Sequence, residues 1–353
     1  MLKQRGLSLV ELMIAITLGL ILLTGVMEVF LSSKNIFSSQ QALSRIQESG
    51  RMAVEFMSRD IRMAGFMGCA SRSETIKVTN MLKDADTVTF NFIEGIKGYS
   101  QADFLNASSK VTQAITTDTD VIVVRSASSN GVYITANNDS ETLFVNTVAS
   151  TGTCKNNKTP ISGLCIEDIV VVTDCEKANV FQISGVTNPS GKVNVMHAST
   201  SMEPDNATPT WGGITDKLNT FNAGAQLLTA TSTVYFIANG SGIPVRPSLW
   251  QNINGTSLEL LEGVEDMHIT YGVDTEADQD FIPNDYKLAK DVADWERVIS
   301  VRLELLVASI EDGVTQDHQV YTFPADAEAP TTAADFRLRQ IFSTTIAIRN
   351  RIN

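Results

Sequence analysis

Between Leu7 and Leu31 the chain is apolar at nearly every position, and Leu12–Met27 is a run of sixteen residues without a charge. Leu43, Ile46, Gly50, Ala53, Met57, Ile61 and Ala64 then recur at spacings of three and four, which sets them on one stripe of a helix. Arg51 with Glu55, and Glu55 with Arg59, stand four apart and support the polar face. Gly50 inside the stripe costs about 1 kcal/mol against alanine, so it marks a bend or a close contact. Gly65 and Gly68 break the pattern at "MAGFMGC". The spacing predicts one continuous helix, apolar over 7–31 and amphipathic over 32–66.

From about Thr75 the period changes to two. "DTVTFNF" (86–92), "DVIVVRS" (120–126), "ETLFVNTVAS" (141–150), "DIVVVTD" (168–174), "NVFQIS" (179–184) and "STVYFIAN" (232–239) read as strands. Gly, Asn, Asp and Ser turns separate them. Met267, Ile269, Tyr271 and Val273 alternate, as do Val301, Leu303, Leu305 and Val307. Near the end Phe342, Thr344, Ile346 and Ile348 share a face. No strong helix is expected after Gly65, and no repeat of fixed period is present. The fold class is α+β: a long N-terminal helix, then a large, mostly antiparallel β region over 67–353. Whether that region is one unit or two stays open.

A helix over 7–31 is about 37 Å long at roughly 1.5 Å per residue, enough to cross a bilayer. Lys3 and Arg5 precede it and direct the start of the chain to the cytoplasmic side. A secretory signal peptide is the simpler alternative, but the end of the run lacks a small-x-small cleavage site. Glu11 also speaks against a plain anchor. A carboxylate buried unpaired in lipid costs about 2.5–3.5 kcal/mol, so Glu11 implies a partner.

"KQRG" followed by "LSLVELMIA" resembles the leader of class III prepilins: a short basic peptide, a glycine, an apolar residue and then a glutamate. The resemblance implies a leader over 1–6, cleavage by prepilin peptidase between Gly6 and Leu7, and N-methylation of Leu7. Leu7 stands where most members carry phenylalanine. Glu11 would then pair with the N-terminal amine of a neighbouring subunit, relieving two desolvation penalties together. "RIQESGRMAVEFMSRDIRMAGFMGC" (45–69), "LLEGVEDMHITYGVDT" (260–275), "WERVISVRLELLVAS" (295–309) and "RQIFSTTIAIRNR" (339–351) are similar to the PilW-type minor pilins. About 81–239 is matched only loosely. What the family implies is a type IV pilin-like subunit that helps start pilus assembly near the tip. Its partners would be other minor pilins, the major pilin, a tip adhesin and the inner-membrane assembly machinery. It would sit in the bacterial inner membrane before assembly, its globular part facing the periplasm, and in the extracellular pilus afterwards. A J-type pseudopilin of type II secretion shares the leader and is the alternative; an enzyme or receptor on a simple anchor is the more distant one.

Composition adds limits. Hydrophobic residues make up 43% and charged residues 19%, a globular balance with enough apolar material for a core. The formal net charge is −13 with no basic stripe, which argues against nucleic acid as a partner. Cys69, Cys154, Cys165 and Cys175 form no CxxC, and with three histidines they do not suit zinc. In an exported chain they suggest disulfides with three possible pairings. The polar loop between Cys154 and Cys165 favours that local bridge, leaving Cys69 with Cys175. Asp274, Glu276, Asp278 and Asp280 alternate and could offer oxygens to calcium. Gln279 stands where a calcium loop needs glycine, however, so a solvated acidic turn is the preferred reading, with no cofactor. His197, His268 and His318 lie in unlike contexts, and His268 is expected on the surface. No GxSxG, HExxH or phosphate-binding loop occurs, so the chain reads as a structural subunit and not an enzyme.

Overall fold

The structure, a computed structural model, describes residues 9–69, 77–107, 109–276 and 280–351. Lys3, Arg5, Gly6, Leu7 and Asp278 therefore lie outside the described residues. Helix α1 is unbroken over Leu9–Arg62. It ends where Gly65 and Gly68 adopt φ of 76° and 78°, a region open to glycine without strain. Strands β1 (Lys77–Asn80) and β2 (Ile96–Ser100) lead to a short helix α2 (Gln101–Asn106), then β3 (Asp120–Ala136) and β4 (Thr142–Val145). Next come β5 (Ile169–Thr173), β6 (Lys177–Gln182), β7 (Gly185–Thr187), β8 (Val193–Met196) and β9 (Gln226–Asn239). β10 (Pro247–Ile253), β11 (Thr256–Glu262), β12 (Val264–Val273) and β13 (Asp285–Lys287) follow. The last are β14 (Val298–Ala308), β15 (Val320–Tyr321), β16 (Thr331–Thr332) and β17 (Arg339–Ala347).

The strands form an 11-stranded sheet in the order β1-β6-β5-β9-β3-β4-β8-β7, with β2, β10 and β11 branching from it. A 4-stranded sheet runs β13-β12-β14-β17, and β15 pairs with β16. Among the described residues β1 pairs parallel with β6, and pairings such as β5 with β6 and β9, β3 with β9 and β12 with β14 are antiparallel. The chain divides into two units, one of Met1–Glu48 with Ala308–Gln340 and one of Ser49–Val307 with Ile341–Asn353. In the first, Ser39 Oγ donates to the Val314 carbonyl at 2.9 Å, and Arg45 pairs with Glu311 at an exposed position, a contact of small energetic worth.

In the second unit the amphipathic stripe of α1 is buried at Gly50, Ala53, Met57 and Ile61, continuing to Ala64. Gly50 is a contact rather than a bend: the Phe342 ring occupies the space a side chain would need. Tyr235 Oη donates to Asp60 at 2.7 Å, and Gln251 Nε2 donates to Tyr235 at 2.9 Å, tying the helix to β9 and β10. Gly65 N–H donates to the Arg125 carbonyl, and Ala127 N–H to that of Phe66, so the helix end feeds directly into β3. Val170, Val172, Phe181, Val195, Trp211 and Leu227 sit in one core cluster; Met67, Phe90, Phe92, Val171, Val180 and Leu228 sit in another.

Three expectations need correction. "DTVTFNF" is not a strand but a series of turns closed by Thr87 N–H on Asp84 and Phe90 N–H on Thr87. Val88, Phe90 and Phe92 are buried, so the alternation reported burial and not extension. The fully buried guanidinium of Arg125 donates to the carbonyls of Val88 and Glu94. Leu43 is exposed, and Ala42 is the buried residue of that turn. One short helix, α2, does follow Gly65; Ser100 caps it by accepting from Asp103 N–H at 3.1 Å.

Disulfides join Cys69 to Cys175 and Cys154 to Cys165, with sequence separations of 106 and 11. The first clamps the turn after α1 to the β5–β6 turn; the second closes a loop between β4 and β5. Loop-closure entropy makes the longer bridge worth about 2 kcal/mol more than the shorter. Replacing Cys69 and Cys175 by alanine should therefore lower the denaturant midpoint clearly further than replacing Cys154 and Cys165, as followed by circular dichroism.

Candidate functional site

The feature that calls for a partner is the first half of α1. Leu9, Leu12, Ile16, Leu20, Leu23, Met27 and Phe30 are each more than half exposed, as are residues on every other side of the helix there. The apolar window of α1 is long enough to cross a membrane, and none of it is buried within the chain. Thr17 Oγ1 donates to the carbonyls of Met13 and Ile14 at 3.1 and 2.9 Å, and Thr24 Oγ1 to that of Leu20 at 2.9 Å. The hydroxyls are thus satisfied inside the helix, as an apolar surrounding demands. A side chain added at Gly19 or Gly25 would meet nothing within 4 Å, leaving both positions open to close approach by another helix. Glu11 lies in the first helical turn, where the helix dipole favours an anion. Gly6 and Leu7, which the leader resemblance makes the cleavage pair, fall outside the described residues.

The remaining candidates are held within the fold. Asp274 accepts from the N–H groups of Glu276 and Phe281, both at 3.2 Å, and faces Arg297 at 3.5 Å. Asp280 accepts from Ile282 N–H at 2.9 Å. These carboxylates serve their own turn, and among the described residues no three His, Cys, Asp or Glu converge as metal ligands. His318 stacks on Phe336 with centroids 4.4 Å apart. His197 is fully buried and stacked on Trp211 at 4.1 Å, with Nδ1 3.2 Å from the Pro209 carbonyl.

His268 is not the surface residue expected. Its Nδ1 lies 3.4 Å from Asp120 Oδ2, which also accepts from Ile269 N–H at 2.8 Å. The alternation of β12 did place His268 opposite Met267 and Ile269, but β3 packs there and half-buries it. Burial raises the carboxyl pKa of Asp120, against the bond from Ile269, and pushes that of nearby Asp266 up to about 6. Arg125 was passed over in the sequence, although it shares the face of Val121 and Val123 in "DVIVVRS". Val121, Ile122, Val123 and Val124 are buried on both faces of β3, so the signal is an arginine at the end of a continuous apolar run.

A helix whose apolar first half is able to cross a membrane and is exposed within the chain, followed by an antiparallel β region, is the architecture of a pilin-like subunit. Residues 1–27 match the family model described as Prokaryotic N-terminal methylation motif, and residues 234–350 match Type IV Pilus-assembly protein W. The second match runs from within β9 through β17. The two together support a type IV pilus-related, pilin-like protein. The motif and the apolar helix fit a membrane-anchored pilin that ends up in the pilus. Searches of curated proteins and of solved structures found no match.

Two buried groups give opposite pH dependences. Burial holds the His197 imidazole down at about 4, so its contribution is complete above the unfolded value near 6.5 and is lost as pH falls towards 4. Asp266, raised to about 6, contributes fully below the unfolded value near 3.9 and loses that as pH rises through 6. Asp266→Asn should therefore stabilise the protein at pH 7.5, by up to about 3 kcal/mol, with no gain at pH 4. His197→Phe should flatten the acid limb between pH 6.5 and 4. Denaturant midpoints across that range test both.

Proposed function

We propose that this chain is a minor pilin that helps initiate assembly of a type IV pilus and lies near its tip. The observation that carries the reading is the apolar half of α1, exposed within the chain and headed by Glu11, on a β region whose last third matches the pilus-assembly family. Prepilin peptidase cuts after Gly6, and Leu7 becomes the methylated N-terminus. Before assembly the helix spans the inner membrane with the N-terminus on the cytoplasmic side and the β region facing the periplasm. The methylated amine of one subunit and Glu11 of another are then ions of matching depth in a poor dielectric, and pairing them stabilises both. In the filament the apolar helix packs against other minor pilins and the major pilin, and the subunit works with the inner-membrane assembly machinery and a tip adhesin. The role is structural, not catalytic. The match at 234–350 favours this over a type II secretion pseudopilin.

Gly6→Val should leave an uncut precursor; intact-mass measurement finding normal mature chain beginning at Leu7 would refute the cleavage site. Glu11→Ala should be cut normally but be recovered in sheared pili at a level reduced at least about tenfold, the scale of an unpaired charge in an apolar setting. Unchanged recovery would sink the pairing.

A further inference from the structure

The sheet edges of this protein are guarded unequally. β1, β7 and β13 are edge strands of 4, 3 and 3 residues. β2 has 5 residues and carries Lys97, and β11 carries Glu259 and Glu262. Shortness and charge are the usual protections of an edge against a foreign strand. β17 has neither. It is 9 residues long, β14 is its neighbour in the sheet, and no charge occurs from Gln340 to Ile348.

The bonds at its two ends fix which way each backbone group points. The Leu338 carbonyl accepts from Ser309 N–H at 2.8 Å, and Ile348 N–H donates to the Ile299 carbonyl at 2.9 Å. Even-numbered positions thus turn towards β14, and odd-numbered ones turn outward. At Arg339 the outward pair is closed by one side-chain amide: its N–H donates to Gln319 Oε1 at 2.7 Å, and its carbonyl accepts from Gln319 Nε2 at 2.9 Å. β17 is the last strand of its sheet, so the next outward pairs, at Ile341, Ser343, Thr345 and Ala347, face no further strand of it. Ser343, Thr345 and Ala347 are exposed and small, while Ile346 and Ile348 are buried on the opposite face and Phe342 fills the notch at Gly50. One face of the strand is anchored and its edge is open.

We propose that the outer edge of β17, Ile341–Ala347, receives an extended strand of a different protein, uncharged in its middle and bearing a carboxylate set against Arg349. Main-chain bonds would supply the affinity and the flanking charge the register. A second copy of this chain fits less well. The antiparallel register of two copies that uses all four outward pairs matches Ile341 with Ala347 and Ser343 with Thr345, and it sets Arg349 of each copy against Arg339 of the other, whose guanidinium already holds Asp335 and offers Arg349 no counter-charge. Arg349 is exposed at the end of the strand. The proposal goes beyond the pilin reading and does not depend on it.

The test is amide hydrogen exchange on the full chain in detergent, with the end-blocked peptide Glu-Val-Thr-Val-Thr-Val-Glu as probe. At roughly 1 mM peptide the amides of Ser343, Thr345 and Ala347 should slow by roughly tenfold or more, and the even-numbered amides should stay as they were. The same peptide flanked by lysines should bind about threefold more weakly or less, the scale of one surface charge pair. Thr345→Pro removes one outward N–H and should abolish the protection while leaving the unfolding midpoint in place. If that variant fails to fold, Thr345→Lys keeps the N–H and should weaken the lysine-flanked peptide further. The proposal is overturned if the odd-numbered amides are already slow without peptide, or if no protection appears. Binding that ignores both substitutions also overturns it. Protection that grows with protein concentration alone assigns the edge to a second copy and overturns it too.

Discussion

Everything in this protein is arranged around an apolar helix surface that the chain itself does not cover. A fully buried leucine or isoleucine side chain is worth about 1.5–3 kcal/mol relative to water. The side chains standing free between Leu9 and Phe37 together exceed the roughly 5–15 kcal/mol that stabilises an ordinary domain. Water cannot be the resting environment of such a surface. A bilayer and a bundle of like helices are the two environments that satisfy it, and both ask the same of the backbone: all polar groups bonded within the helix. The inward bonds of Thr17 and Thr24 meet that demand. A helix suited to both surroundings can pass from one to the other without refolding.

Such a transfer requires that force on the helix reach the β region. Within a few residues of the end of α1 the attachments crowd together. Asp60 is held by Tyr235, Gly65 and Phe66 bond to β3, and Cys69 is covalently joined to Cys175. Asn350 Nδ2 also reaches the Ala64 carbonyl at 3.3 Å, bringing the end of the chain to the same place. Small residues on the stripe, Gly50, Ala53 and Ala64, let the sheet approach closely enough for these bonds to form. The helix end is therefore a joint without slack.

The elements legible in the sequence are those with a single driving force. The charge-free run, the leader and Glu11 stand out because lipid penalises every exception. β5, β9, β12 and β14 stand out because β-branched residues alternate or run together between turn residues. Legibility failed where burial and conformation part company. Val88, Phe90 and Phe92 alternate as a strand does, yet the backbone between them turns, and a buried arginine 37 residues from Val88 donates to the Val88 carbonyl. His268 was misplaced for a related reason: alternation tells which face a residue occupies but not what packs on that face. The open edge of β17 was in the sequence as an uncharged stretch between arginines, but only the bonds at Leu338, Arg339 and Ile348 reveal which of its groups point outward.

The titrating groups show a second kind of balance. Burial raises the carboxyl groups of Asp60 at the helix end, of Asp120 at the start of β3 and of Asp266 in β12, and these favour the folded state more as protons are added. In the loops, Asp216 is lowered by its bond from Asn219, and Asp335 is lowered to about 2 by Arg339; these favour folding only while charged. His197 acts with the second group, since its protonation must be done in a dry core. Acidification therefore strengthens one set of sites as it weakens the other, and the opposing slopes cancel in part. A protein whose proposed place is outside the cell meets the pH of its surroundings without a buffer. In this chain the tie between Asp60 of α1 and Tyr235 of β9 belongs to the set that acid favours, and the loop carboxylates Asp216 and Asp335 belong to the set that acid weakens.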